Sequence, residues 1–151
     1  MPFAPGSYTI KVAKIAGRTS DAEQLASAGK KLTRLQDGLV AIEAGKRLTN
    51  ASKAAFRNEA TTLMSSAITA AKKTAKNVDV HHLIPLEHAH RMGKGFDPNA
   101  IQNLAAVDRK IHTLINKEWS KFSKANPNAT VKQIMEQVAK IEKEFGSHFF
   151  R

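Results

Sequence analysis

Val78-Asp79-Val80-His81-His82-Leu83-Ile84-Pro85 is the stretch that decides the fold. It is short, rich in β-branched residues and closed by a proline, which reads as one strand. Beyond it, residues 87–99 hold Gly93, Gly95 and Pro98 and read as a connecting loop. Asn103-Leu104-Ala105-Ala106-Val107 reads as the returning strand. Asp108 then caps a helix to about residue 124, with Ile111, Leu114, Ile115, Trp119 and Phe122 on its buried side. The centre of the chain is therefore strand, loop, strand, helix.

Working outward towards the N-terminus, Asn50 or Ser52 is read as the cap of a long helix reaching about residue 76. Phe56, Ala60, Leu63, Met64, Ala67, Ile68, Ala71 and Ala75 recur along it with helical period and form a core-facing stripe. Residues 39–49 read as a short helical piece around 40–46. Ser20-Asp21-Ala22-Glu23 has the form of a capping box, and a helix over 21–37 follows, with Gly38 as its stop. Residues 1–19, with Pro2, Pro5 and Gly6, are a lead-in, in which the alternation of Tyr8, Ile10 and Val12 suggests a short strand. On the other side, Asn126-Pro127-Asn128 breaks the chain. Thr130-Val131-Lys132-Gln133 is a second capping box opening a last helix to Phe145, with Gly146 as its stop. The expected fold is mainly α with a small β-hairpin. One domain spans 20–151: a helical part over 20–76, the strand–strand–helix element over 78–124, and a C-terminal helix over 130–146.

With 151 residues, the chain suits one compact domain that needs no covalent staple. It has no cysteine, which excludes disulfides, cysteine-ligated zinc and thiol catalysis. Twenty-four basic residues against thirteen acidic ones give a formal charge of +11, which favours a polyanionic partner. The lysines are scattered over several segments, as suits a broad phosphate-facing surface. No stretch has the length of a membrane span, and the N-terminus lacks the pattern of a signal peptide.

Four polar positions stand out on the central element: His81, His82, Asn103 and His112, with Asn116 one turn beyond. Neighbours on a strand point to opposite faces, so His81 and His82 have different tasks. One can face a metal ion and the other a water. His112 and Asn116 share one helix face, about 5–6 Å apart at Cβ, and both can reach a single ion. Hydrolysis of a phosphodiester needs a base near neutrality, which histidine provides, and a positive centre to offset charge on phosphate, which a divalent ion provides.

His81-His82-Leu83-Ile84-Pro85, then Asn103-Leu104, then His112-x-x-x-Asn116 resembles the HNH, or ββα-metal, nuclease family. The likeness is to colicin-type nucleases and to the H-H-x-x-P toxin domains of bacterial polymorphic toxins, which Gly95-Phe96-Asp97 also resembles. It covers roughly the central third of the chain. The resemblance implies a ββα-metal core in which His81 and His112 are metal ligands and His82 is the general base. Asn103 would fix that base and brace the loop. Asn116 stands where many members carry a second helix histidine. An amide oxygen is a harder ligand than imidazole, so one magnesium or manganese ion is favoured, with zinc or nickel as alternatives.

The implied activity is an endonuclease acting on DNA with little sequence preference, RNA being the other substrate to consider. The resemblance further implies a toxin domain carried on a larger secreted protein. It would act in the cytoplasm of a target bacterium and be neutralised by an acidic immunity protein. A phage or restriction endonuclease is an alternative setting. A non-catalytic nucleic-acid-binding module with a structural metal is an alternative function.

Around the centre, Arg91, Lys94, Arg109, Lys110 and Lys117 are expected as a basic rim, one or two of them clamping phosphate. His88 and His90 read as loop histidines rather than a second metal site. Glu87 is a minor candidate to support a ligand histidine. Asp79 shares a strand face with His81, which suits a ligand or, equally, a cap or ion pair. Trp119 and Phe122 read as core, and His148, Phe149 and Phe150 as a packed terminal segment.

Overall fold

The computed structural model describes residues 22–151. The strand read around Tyr8 and the capping box at Ser20-Asp21 lie outside the described residues. The architecture is mainly helical with one two-stranded antiparallel hairpin, as expected. The elements in order are α1 (Ala22–Glu43), α2 (Asn50–Leu63), α3 (Ser65–Ala71), β1 (Val78–His82), β2 (Leu104–Asp108), α4 (Arg109–Ala125) and α5 (Val131–Phe145). Among the described residues no helix is long and apolar enough to cross a membrane.

The helix opening the fold runs past its expected end. Gly38 does not stop α1; the helix continues to Glu43, absorbing the short piece read at 40–46. A Cβ at position 38 would stand 2.5 Å from the Phe56 ring, so the glycine lets α1 approach α2 closely. The stop comes at Gly45, whose φ of +70° is a left-handed conformation that a residue without Cβ adopts freely. Leu35 and Ile42 bury their side chains in the same core as Phe56.

Thr49, rather than Asn50 or Ser52, caps α2: its side chain accepts from the Ser52 N–H. The Ser52 hydroxyl instead donates to the Arg34 carbonyl, 3.0 Å away, and so ties α2 to α1. The single helix expected to residue 76 is two. It breaks at Met64 and ends at Ala71. Just before the break, the Thr61 and Thr62 hydroxyls donate back to the Arg57 and Asn58 carbonyls, a pattern that bends helices.

β1 and β2 pair with His81 opposite Ala105 and His82 opposite Leu104. One face of the hairpin, with Val78, Val80, Leu104 and Ala106, packs on Ala60 and Met64 of α2 and its end. The other carries Val107 into the main core with Ile115, Trp119, Ile134 and Ile141 of α4 and α5. Asp108 caps α4 through the Lys110 N–H, and the Thr130–Gln133 capping box opens α5. The connecting loop is more ordered than a plain loop, with a 3-10 turn at Leu86–Arg91. Phe150 pairs with Ala106 through two backbone hydrogen bonds of 2.7 and 2.8 Å, so the terminal segment is packed on β2.

Candidate metal and catalytic site

A cleft of about 540 Å³ opens between α2, β1 and α4. Asp79, His81, His82, His112 and Asn116 all line it, together with Lys53, Arg57, Thr61 and Glu87. Four of the five residues read as catalytic or metal-binding thus meet at one place.

Strand alternation separates the two histidines as expected. His81 turns to α4, with its ring centroid 5.5 Å from that of His112 and 5.5 Å from that of Phe149. It is 2 % exposed, and its Nε2 is buried without a hydrogen-bond partner. Burial, then the neighbouring charges of His112 and His82, push its pKa down to about 3. The ring is therefore neutral at pH 7, the form that binds a metal ion.

His112 is held by a carboxylate. Its Nδ1 lies 3.2 Å from Asp79 Oδ2, and Asp79 also pairs with Arg109 at 3.0 Å. Burial alone would raise the Asp79 pKa, but the bonds from Arg109 and His112 outweigh it and hold the carboxyl below the usual range. With Nδ1–H donating to Asp79, the lone pair of His112 sits on Nε2, the arrangement of a ligand histidine oriented by a carboxylate. Asp79 thus pairs with both Arg109 and His112. Asn116 is exposed on the same cleft wall, one turn along.

His82 turns to α2. Its Nε2 lies 2.8 Å from Asn99 Oδ1. The amide can be oriented from its surroundings, because Asn99 Nδ2 donates to the Phe56 carbonyl at 3.0 Å and to Glu59 Oε1 at 2.7 Å. Both are acceptors, so the amide oxygen is the atom presented to His82. His82 therefore carries its proton on Nε2 and keeps its lone pair on Nδ1. Burial, only partly offset by the Asn99 hydrogen bond, lowers its pKa to about 4, below the near-neutral value expected from the sequence, so the ring is neutral and able to accept a proton at pH 7.

Asn103 does half of what was expected of it. It braces the loop: Oδ1 accepts from the Ile84 N–H at 2.9 Å, and Nδ2 donates to the Pro98 and Ile84 carbonyls. The side chain on His82 is Asn99, not Asn103, because the Asn103 amide is engaged by backbone.

None of the residues expected as a basic rim lines the cleft itself. Arg91 donates to the Pro127 and Ala129 carbonyls, which anchors the 3-10 turn to the α4–α5 junction. Arg109 is tied to Asp79, and neither Lys94, Lys110 nor Lys117 lines the cleft. The cations that do are Lys53 and Arg57, which had been read only as part of a helix. His88 is 4 % exposed, packed between Trp119 and Phe122 and bonded to Ser123, so it is structural. Glu87 lies near that pair.

Of the two site residues that sequence reasoning missed, Glu59 and Asn99, only Glu59 carries a signal in the sequence. Glu59 lies three residues after Phe56 and one before Ala60, on the apolar stripe itself. A carboxylate there is buried, and a buried carboxylate needs a partner. Asn99 carries no comparable mark, since it follows a proline in a stretch that reads as loop.

The residues suit an ion in the donors they offer: an orphaned buried His81 nitrogen, and the Nε2 of His112, the ring nitrogen not engaged by Asp79. Among the described residues no group of three His, Asp or Glu is arranged to hold one. Further ligands would be the Asn116 amide and water, which leaves positions open for a substrate oxygen. Compared with protein-family models, with characterised proteins and with solved structures, the chain has no match in any of the three.

Proposed function

We propose that this chain is a metal-dependent endonuclease with a ββα-metal centre, hydrolysing phosphodiester bonds in DNA. The observation that carries the reading is the pair of differently partnered histidines side by side on β1. His81 offers a buried, neutral, unpartnered nitrogen beside His112. His82, one residue on, is locked by Asn99 with its Nδ1 lone pair available.

In this mechanism His81 and His112 would hold one divalent ion, with Asn116 as a third ligand, directly or through water. Bound there, the ion supplies Lewis-acid stabilisation of charge on the phosphate. His82 Nδ1 takes a proton from the attacking water. The water oxygen bonds to phosphorus as the phosphorus–oxygen ester bond breaks; the departing oxygen takes a proton from solvent, and the strand is left with one phosphate and one hydroxyl end. Asn99 keeps the ring in one tautomer and holds its Nε2 proton as the imidazole gains charge. Asp79 keeps His112 turned to the ion.

The biological setting that fits is a toxin domain neutralised by an acidic immunity protein, supported by the +11 charge and by the motif resemblance. The deciding experiment is plasmid nicking in chelator and then with magnesium, manganese, nickel or zinc, beside His82→Ala. Metal-dependent nicking that His82→Ala abolishes in a folded protein supports the reading. Absence of cleavage with every metal, on DNA and RNA, overturns it in favour of a binding module.

A further inference from the structure

α2 lies outside the strand–strand–helix element, yet it forms one wall of the cleft. Lys53, Arg57 and Thr61 all line it. They are four residues apart, so they follow one edge of the helix at intervals of about 6 Å. The wall facing them carries His112 and Asn116. Arg57 and His82 line the same cleft.

Two other cations near the site are engaged. Arg109 is paired with Asp79 and Arg91 with two carbonyls. Lys53 and Arg57, by contrast, make no ion pair or side-chain hydrogen bond among the described residues. The hydroxyl proton of Thr61 is already donated to the Arg57 carbonyl, so that residue adds reach but no donor. Two uncompensated cations one helical turn apart, along an open cleft, suit a charged polymer better than a compact anion. The exposed edge of α2 is free to carry them because its opposite edge, Phe56, Ala60 and Met64, is in the core.

We propose that α2 is the substrate-gripping wall: Lys53 and Arg57 bind backbone phosphates of the DNA strand to be cut, and Arg57 holds the one nearest His82. This rests on the nuclease reading for the identity of the polymer but not for the contacts. Because phosphate contacts carry no base information, the grip would be indifferent to sequence.

The test is binding of a short fluorescein-labelled DNA duplex to the His82→Ala protein, followed by anisotropy over a range of salt concentrations. Each phosphate contact contributes about 0.9 to the slope of log affinity against log salt. Arg57→Ala and Lys53→Ala, each added to His82→Ala, should lower the slope by about that amount per residue and weaken binding at low salt. Arg57→Lys should restore the slope. Lys132→Ala, an exposed cation at the start of α5 away from the cleft, should leave it unchanged. A slope unaltered in both alanine variants, with circular dichroism unchanged, overturns the proposal even if the wild type nicks DNA. A slope that falls as expected, in a protein whose wild type cuts nothing, sustains the grip and sinks the nuclease reading instead.

Discussion

Nε2 of His82 lies 2.8 Å from Oδ1 of Asn99, and both side chains are buried. Asn99 in turn is anchored on Phe56 and Glu59 of α2. The orientation of the proposed base is thus set by a helix distant in sequence from the motif that contains it.

Asn99→Ala removes the acceptor that holds the Nε2 proton. Loss of a group that orients a functional histidine typically lowers activity about 10- to 100-fold, and we expect a fall of that size in nicking rate. Glu59→Gln, which keeps an oxygen to receive the Asn99 amide, should fall less. Equal nicking rates for Asn99→Ala and wild type would remove Asn99 from the mechanism.

Asn103→Ala should act on stability rather than on the base. It strands the Ile84 N–H and the Pro98 carbonyl in a buried loop, and each unsatisfied group costs about 1–3 kcal/mol. Urea denaturation should show a loss of a few kcal/mol. A variant of wild-type stability would show that the loop is braced by other means.

Metal binding should stabilise the fold, since an ion that binds only the native state adds free energy with concentration. Thermal melts in chelator and in saturating manganese should differ for the wild type and hardly at all for His81→Ala combined with His112→Ala. Asp79→Asn should bind the ion about 10- to 100-fold more weakly. An unchanged affinity would mean that Asp79 serves only its pair with Arg109.

In chelator, acid should destabilise the fold early. Unfolded histidine takes a proton near pH 6.5, whereas folded His82 does so near 4 and folded His81 near 3. Between those limits the unfolded chain binds more protons, so stability falls as pH falls, by up to about 1.4 kcal/mol per pH unit for each histidine. Asp79, held low, adds a further loss only below its unfolded value of 3.8. Urea midpoints that stay level from pH 6.5 down to about 4 would contradict this.

Gly38→Ala pits two effects against each other. Alanine favours the helix by about 1 kcal/mol, but its Cβ would meet the Phe56 ring at 2.5 Å, and overpacking costs about 1–3 kcal/mol. We expect net destabilisation, relieved in the double variant with Phe56→Leu. A more stable Gly38→Ala protein would show that the ring yields freely.

The parts of this fold legible in the sequence are those governed by local chemistry. The hairpin, the Asp108 cap and the Thr130–Gln133 box each depend on side chains within a few residues of one another. So does the separation of His81 from His82, which follows from strand alternation alone. What escaped reading depends on contacts between distant segments. Gly38 has the same identity whether it ends a helix or admits a ring, and only the position of Phe56 decides. Arg91 and Arg109 looked like substrate cations because the carbonyls and the carboxylate that engage them are remote or on another element. Lys53 and Arg57 looked like ordinary helix surface until the cleft beside them was known.

The pairing of Phe150 with Ala106 makes the histidine pocket depend on a segment remote from it in sequence. Phe149 covers the His81 ring, and Phe150 occupies the outer edge of β2. Two backbone hydrogen bonds thus hold the wall that keeps water from the His81 ring, and local detachment of residues 149 and 150 from β2 would wet it.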